Sequence, residues 1–168
     1  MAETLSATIP DDVEIAVRTI LERAKAKDAR LTAAESCTGG LLASLLTDVE
    51  GVSHVFERGF VVYSKRAKCE LLDIAPERIE RCGAVSREVA VAMADGALKA
   101  PHADIAIAIT GFAGPAGPDD QPGLVHFACA RQDDETRHRQ EAFGDIGRGP
   151  TRIACIRTAL EMLGDALE

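Results

Sequence analysis

The sequence predicts an α/β fold: a three-layer α/β/α sandwich around a mostly parallel, mixed central sheet. Strand-length apolar runs alternate with amphipathic segments along the chain, the pattern of a sheet layered between helices. The run 104–110 (DIAIAIT) alternates Ile and Ala with no polar face, as a strand covered on both sides does. With 46% hydrophobic residues and a mean hydropathy of +0.01, the 168 residues can bury a sizeable core. That length suits a single domain over residues 1–168, with its core at 11–165.

The elements follow in order. A first helix begins after Pro10, with Asp11 or Asp12 as its cap and Val13, Val17, Ile20, Leu21 and Ala24 at helical spacing. A short strand, Leu31–Glu35, leads into the turn SCTGG, and Leu41, Leu42, Leu45 and Leu46 mark a second helix. Residues 58–63 (RGFVVY) read as a strand, after which Ser64 can cap a helix running through Leu71 and Leu72. A longer helix after Ser86 reaches about residue 100, with Val89, Met93 and Ala97 on one face. The strand 104–110 is followed by a Gly- and Pro-rich loop, strands at 124–130 and 137–143, and a last helix from near Pro150 through Leu163. The strand at 58–63 and the final strands are expected to break the parallel order.

Composition excludes several classes. With 19 basic against 27 acidic residues the chain carries −8, which argues against direct nucleic-acid binding through phosphate contacts. Aromatic residues make up 4% and Trp is absent, too few for base-stacking platforms. No run approaches the ~20 apolar residues of a membrane span, and the first residues, MAETLS, show no secretory signal. A cytoplasmic protein is expected. The five cysteines are widely spaced without a CxxC, and the four histidines show no HxxxH or HExxH, so neither disulfides nor a metal site is suggested.

Chemistry concentrates in four places. Ser36 stands at the end of a strand and just before a helix, where a hydroxyl faces an open crevice. The N–H groups that follow have no intrahelical partner and suit an oxyanion or a phosphate. Gly39 and Gly40 leave room for a ligand, although Ser36 or Thr38 can equally be a simple N-cap. The histidines offer no base, which leaves lysine. With Lys65 at zero on a wheel of about 100° per residue, Leu71 falls at about 240° and Leu72 at about 340°. Lys68, at about 300°, then sits beside the centre of the apolar face at about 290°, with Lys65 about 70° from that centre. Near a helix N-terminus and partly desolvated, Lys68 would lose pKa toward a base's range; the alternative is a lysine whose stem merely covers the core edge. Tyr63, the only tyrosine, ends the preceding strand, where its hydroxyl could relay a proton or simply pack. The stretch 110–117 (TGFAGPAG) permits close backbone approach, but is neither GxGxxG nor a P-loop. Arg148 and Arg152, at a helix start, could clamp an anion or be solvated charges.

Together, AESCTGG at 34–40, FERGFVVYS at 56–64 with Lys68 after it, GAVS at 83–86, TGFAGPAG at 110–117 and the FGD with its following arginines at 143–152 resemble the C-terminal domain family of the competence/damage-inducible CinA proteins. The larger N-terminal domain of CinA proteins is lacking, so the chain looks like the family's stand-alone nicotinamide-nucleotide amidases. One departure stands out: the family reads GDR with Arg four residues on, whereas here Ile146-Gly147 separates Asp145 from Arg148.

The resemblance implies a CinA C-terminal-domain-like fold and a Ser/Lys amidohydrolase that converts nicotinamide mononucleotide to nicotinate mononucleotide and ammonia in NAD recycling, without metal or cofactor. Carried over, Ser36 is the nucleophile, Lys68 the base and Tyr63 the assisting hydroxyl. Backbone N–H groups after Ser36 would hold the oxyanion. The substrate is expected against Glu35, Thr38, Gly39, Gly40, Thr110, Gly111, Gly114, Arg148 and Arg152. The expected partner is the mononucleotide, with no nucleic acid and no membrane, and the protein is expected as a homo-oligomer. Two other readings stay open: a non-catalytic nucleotide-binding module linked to competence or DNA damage, and an amidase of another small amide.

Overall fold

The computed structural model describes residues 8–100, 102–114 and 117–168. The leaderless start read from MAETLS, and Pro115 and Ala116 of the glycine-rich loop, lie outside the described residues. Five strands, β1 (Leu31–Glu35), β2 (Phe56–Val61), β3 (Ile105–Gly111), β4 (Leu124–Arg131) and β5 (Arg137–Ala142), form one sheet in the order β2-β1-β3-β4-β5. β1 pairs parallel with β2 and with β3, whereas β3–β4 and β4–β5 are antiparallel. The expected break in parallel order therefore falls at β4 and not at β2. The reason lies in the connections: a helix intervenes between β1 and β2, but 112–123 contains none among the described residues, and a chain without a crossover turns back on its neighbour.

Two helical layers cover the sheet. α1 (Asp11–Ala26), α2 (Leu41–Thr47) and α6 (Arg148–Ala166) lie on one face, and α3 (Lys65–Leu72), α4 (Pro76–Cys82) and α5 (Arg87–Leu98) on the other. The Ile/Ala alternation of β3 explains the division. Ile105, Ile107 and Ile109 fill the core beneath α1 and α6, while Ala106 and Ala108, with Ala34 and Ala128, face α5. Small side chains on that face let α5 lie close to the sheet.

Several local expectations shift. Neither Asp11 nor Asp12 caps α1: Pro10 occupies the cap position without a side-chain bond, and Asp12 instead pairs with Arg157 of α6 at 2.7 Å. Ser64 does cap α3, accepting from the Ala67 N–H at 3.0 Å. α4 was not foreseen; its single buried residue, Ile79, leaves no apolar periodicity to read. At the carboxyl ends of β1, β2 and β3, residues 36–40, 62–64 and 112–114 converge on one crevice. β1 is where the chain turns to β2 on one side and leaves β3 on the other, the place where open α/β sheets bind ligands.

Candidate active site

Lys68 donates from Nζ to Ser36 Oγ at 3.0 Å and to the Val62 carbonyl at 2.7 Å. Its side chain is 1% exposed and Ser36 is 7% exposed. Burial lowers the Lys68 pKa to about 8, against a smaller opposing effect of the Cys37 and Cys69 thiols. A neutral Lys68 can keep its N–H bond to Val62 and turn its lone pair toward the Ser36 hydroxyl. The wheel thus picks out the lysine that the fold buries, although Leu71 proves 56% exposed and the buried face consists of Lys68 and Leu72, one turn apart.

The loop after Ser36 is built differently from expectation. Glu35 is not turned to a ligand: its buried carboxylate accepts from the N–H groups of Gly40 at 3.1 Å, Leu42 at 3.1 Å and Ala43 at 2.8 Å. A side chain pointing back into the start of α2 does the work of an N-cap, the cap position itself being Gly40 at φ +94°. Gly39 N–H is used by the Ser36 carbonyl and Leu41 N–H by that of Thr38. This leaves the N–H groups of Cys37 and Thr38, which donate to no backbone carbonyl among the described residues, as the donors available to an oxyanion. The helix-capping alternative for Ser36 and Thr38 is not realised: Thr38 Oγ1 is buried without a partner.

Ser36, Lys68, Tyr63, Thr110, Gly111, Gly114 and Arg148 line one cavity of about 290 Å³, joined by Cys37, Ala84, Val85, Phe112 and Ala113. Thr110 is fixed by its bond to the Ala84 carbonyl at 2.8 Å. Gly111 is obligatory for closure of the wall, since a Cβ there would stand 2.6 Å from the Val125 side chain. The Arg148 guanidinium reaches to within 3.0 Å of where a Cβ on Gly114 would be. Tyr63 stands at the rim, 68% exposed, and its hydroxyl bonds neither Ser36 nor Lys68. Arg152 departs from the expected pair of anion-binding arginines. Its Nε donates to the Cys37 carbonyl at 2.9 Å, so it braces the nucleophile loop from α6.

Two pairings were invisible in the spacing. The buried thiols of Cys37 and Cys155 act on each other, lowering the Cys37 pKa and, with burial, raising that of Cys155, while the Arg152 charge favours the thiolate of either. His126 and His138, on adjacent strands, stack with Nδ1 and Nε2 3.0 Å apart. Burial lowers both imidazole pKa values. Neighbouring strands joined by a short turn were the signal for that pair. Among the described residues no group of three or more His, Cys, Asp or Glu is placed to hold a metal ion, and no helix is long and apolar enough to cross a membrane.

Comparison with known proteins places the chain as a whole. The chain is 49% identical over 142 residues to the nicotinamide-nucleotide amidohydrolase PncC of Escherichia coli, covering 83% of this chain and 85% of that one. It is 44% identical to a putative competence-damage inducible protein of Acetivibrio thermocellus, covering 77% of this chain but 31% of the longer relative. Among solved structures, a competence/damage inducible protein of Agrobacterium tumefaciens superposes with a TM-score of 0.91 at 43% identity, over 96% of this chain and 99% of that one. A CinA superfamily protein of Escherichia coli gives a TM-score of 0.86 at 33% identity, over 95% and 94% of the two chains. With the CinA C-terminal domain profile matching residues 14–167, the chain belongs to the CinA C-terminal domain family.

Proposed function

We propose that this protein hydrolyses the carboxamide of nicotinamide mononucleotide to nicotinate mononucleotide and ammonia, with Ser36 as nucleophile and Lys68 as base. The observation that carries the reading is the buried Lys68–Ser36 pair, 3.0 Å apart in a cavity, together with the similarity to the amidohydrolase relative. Neutral Lys68 takes the Ser36 proton as Oγ bonds to the carboxamide carbon. The oxyanion is held by the Cys37 and Thr38 N–H groups. Lys68 returns the proton to the leaving nitrogen, the C–N bond breaks, and ammonia departs. Water then attacks the Ser36 ester, giving up its proton through Lys68, and releases the acid.

The pyridinium ring assists twice. It withdraws electrons from the carboxamide, and its charge disfavours the Lys68 ammonium, favouring the neutral base. The phosphate lies with Arg148, the cavity's arginine. Lys68 acts on Ser36 directly, and Tyr63 borders the substrate from the rim. A cytoplasmic homo-oligomer acting on a small soluble nucleotide, and not on nucleic acid or membrane, completes the reading; the five free thiols suit a reducing compartment.

Ammonia release from nicotinamide mononucleotide by the purified protein tests it, with free nicotinamide, glutamine and NAD alongside. Turnover of the mononucleotide well above the other three is expected. No turnover of any favours the non-catalytic nucleotide-binding reading, and preference for another amide favours the alternative amidase.

A further inference from the structure

On the mononucleotide reading the ring that enters the cavity is a cation, and we propose that Phe112 selects for that charge by offering its π-face. The electrostatics of the cavity pose the problem. Its charged lining side chains are Lys68 and Arg148, both basic, and no carboxylate lines it among the described residues. Glu35, next to Ser36, is buried and already accepts three N–H bonds. With Lys68 acting as a neutral base and Arg148 taken up by the phosphate, the lining still offers the pyridinium ring no acid, and its charge needs compensation from something else. The negative face of an aromatic ring supplies it, most effectively where water is excluded.

Phe112 is the residue placed to do so. The chain has five Phe, one Tyr and no Trp, yet the tyrosine and one phenylalanine meet at this cavity. Phe56, Phe60, Phe127 and Phe143 all belong to or pack against the two hydrophobic cores; Phe112 belongs to neither. Its backbone is held on both sides, the N–H by the Leu124 carbonyl and the carbonyl by the Gly123 N–H, each at 2.9 Å. Gly111, which tolerates no side chain against β4, closes the wall immediately before it. Such a wall is preorganised, so little ordering cost accompanies contact with the ring. A half-buried phenyl with no core to fill, on a fixed wall of an acid-free cavity, is accounted for by a cationic ligand.

The test compares nicotinamide mononucleotide with its 1,4-dihydro form, which keeps the carboxamide and ribose phosphate but has an uncharged ring. Ammonia release by the wild type is measured first: none overturns the mononucleotide reading itself. Where release occurs, KM for the mononucleotide and the inhibition constant of the dihydro form are taken for the wild type, Phe112→Leu and Phe112→Tyr. The wild type should hold the charged form more tightly than the reduced one. Phe112→Leu should raise KM about three- to tenfold, with kcat and the inhibition constant within about twofold, and Phe112→Tyr should restore KM. Equal changes in KM and the inhibition constant would overturn the charge selection and leave a contact of shape alone. So would an unmoved KM, or a wild type that binds the reduced form as tightly or more tightly, a result that needs no variant to fold.

Discussion

Lys68 Nζ and Ser36 Oγ meet at 3.0 Å although 32 residues separate them in the chain. α3 carries the lysine over the end of β1 with the ammonium buried and its one other bond among the described residues to the Val62 carbonyl. A lysine in that position is a base whenever it is neutral, and its environment determines when that is.

The first consequence is a pH profile. With the Lys68 pKa lowered to about 8, the neutral fraction grows as pH rises through that value, so kcat/KM should climb with an apparent pKa of about 8. In the bound complex the cationic ring lowers it further, so kcat should titrate at lower pH. Lys68→Met should lose about 10²–10⁴-fold in rate, with the exposed Lys65→Met near wild type. A kcat/KM flat from about pH 6.5 to 9.5 would remove Lys68 from the role.

Arg148 and Arg152 should separate cleanly. Arg148 lines the cavity, so Arg148→Ala should raise KM for the mononucleotide by a charge-assisted bond, about 1.5–3 kcal/mol or ten- to hundredfold. The dephosphorylated riboside should be nearly unaffected. Arg152 holds the Cys37 carbonyl, so Arg152→Ala should instead lower kcat on both substrates alike. Steady-state kinetics on the two substrates distinguish a phosphate ligand from a brace, and a phosphate-dependent loss in Arg152→Ala would contradict the bracing role.

Gly96 sets the height of α3. A Cβ on this α5 residue would stand 2.2 Å from the Leu72 carbonyl oxygen, and the obstacle is backbone, so α3 must move. Lys68 lies one turn before Leu72 on the buried face. Gly96→Ala should cost about 1–3 kcal/mol in urea unfolding and displace the base, lowering kcat more than KM. Unchanged stability together with unchanged kcat would show that the helices slip apart freely.

Acid should weaken the fold through the His126–His138 pair. One ring donates and the other accepts across 3.0 Å, and protonating both would set N–H against N–H. Burial lowers both pKa values, His126 and Arg87 lower that of His138 further, and Glu88 opposes in each case. The unfolded chain therefore binds more protons below the ordinary pKa of 6.5, and stability present above it is lost as pH falls through the folded-state values. Urea midpoints at pH 7.5 and 5.5 should differ more for the wild type than for His138→Gln. An equal drop in both would assign the acid sensitivity elsewhere.

Much of this was legible in the sequence, for identifiable reasons. β1 and the start of α2 announce themselves through an apolar run ended by SCTGG, and the wheel singles out Lys68 because a buried charge breaks an apolar face. What escaped depends on where side chains turn. An acid next to Ser36 looks the same in sequence whether it faces a ligand or, like Glu35, folds back onto three N–H groups of the following helix. Arg152 at helical spacing from Arg148 resembles a second anion ligand until the loop it braces is in view. α4 carries one buried residue, and the His126–His138 contact exists only once β4 and β5 pair.

Ammonia release from nicotinamide mononucleotide by Ser36→Ala, measured beside the wild type and Cys37→Ala, tests the central claim most directly. Cys37 is the rival nucleophile, since its lowered thiol pKa and place in the same cavity suit attack. Loss of a true nucleophile costs several orders of magnitude, so Ser36→Ala should fall below about a thousandth of the wild-type rate while Cys37→Ala keeps at least about a tenth. A Ser36→Ala protein that retains more than about a tenth of the rate, or a Cys37→Ala protein that loses it all while Ser36→Ala does not, would contradict the account.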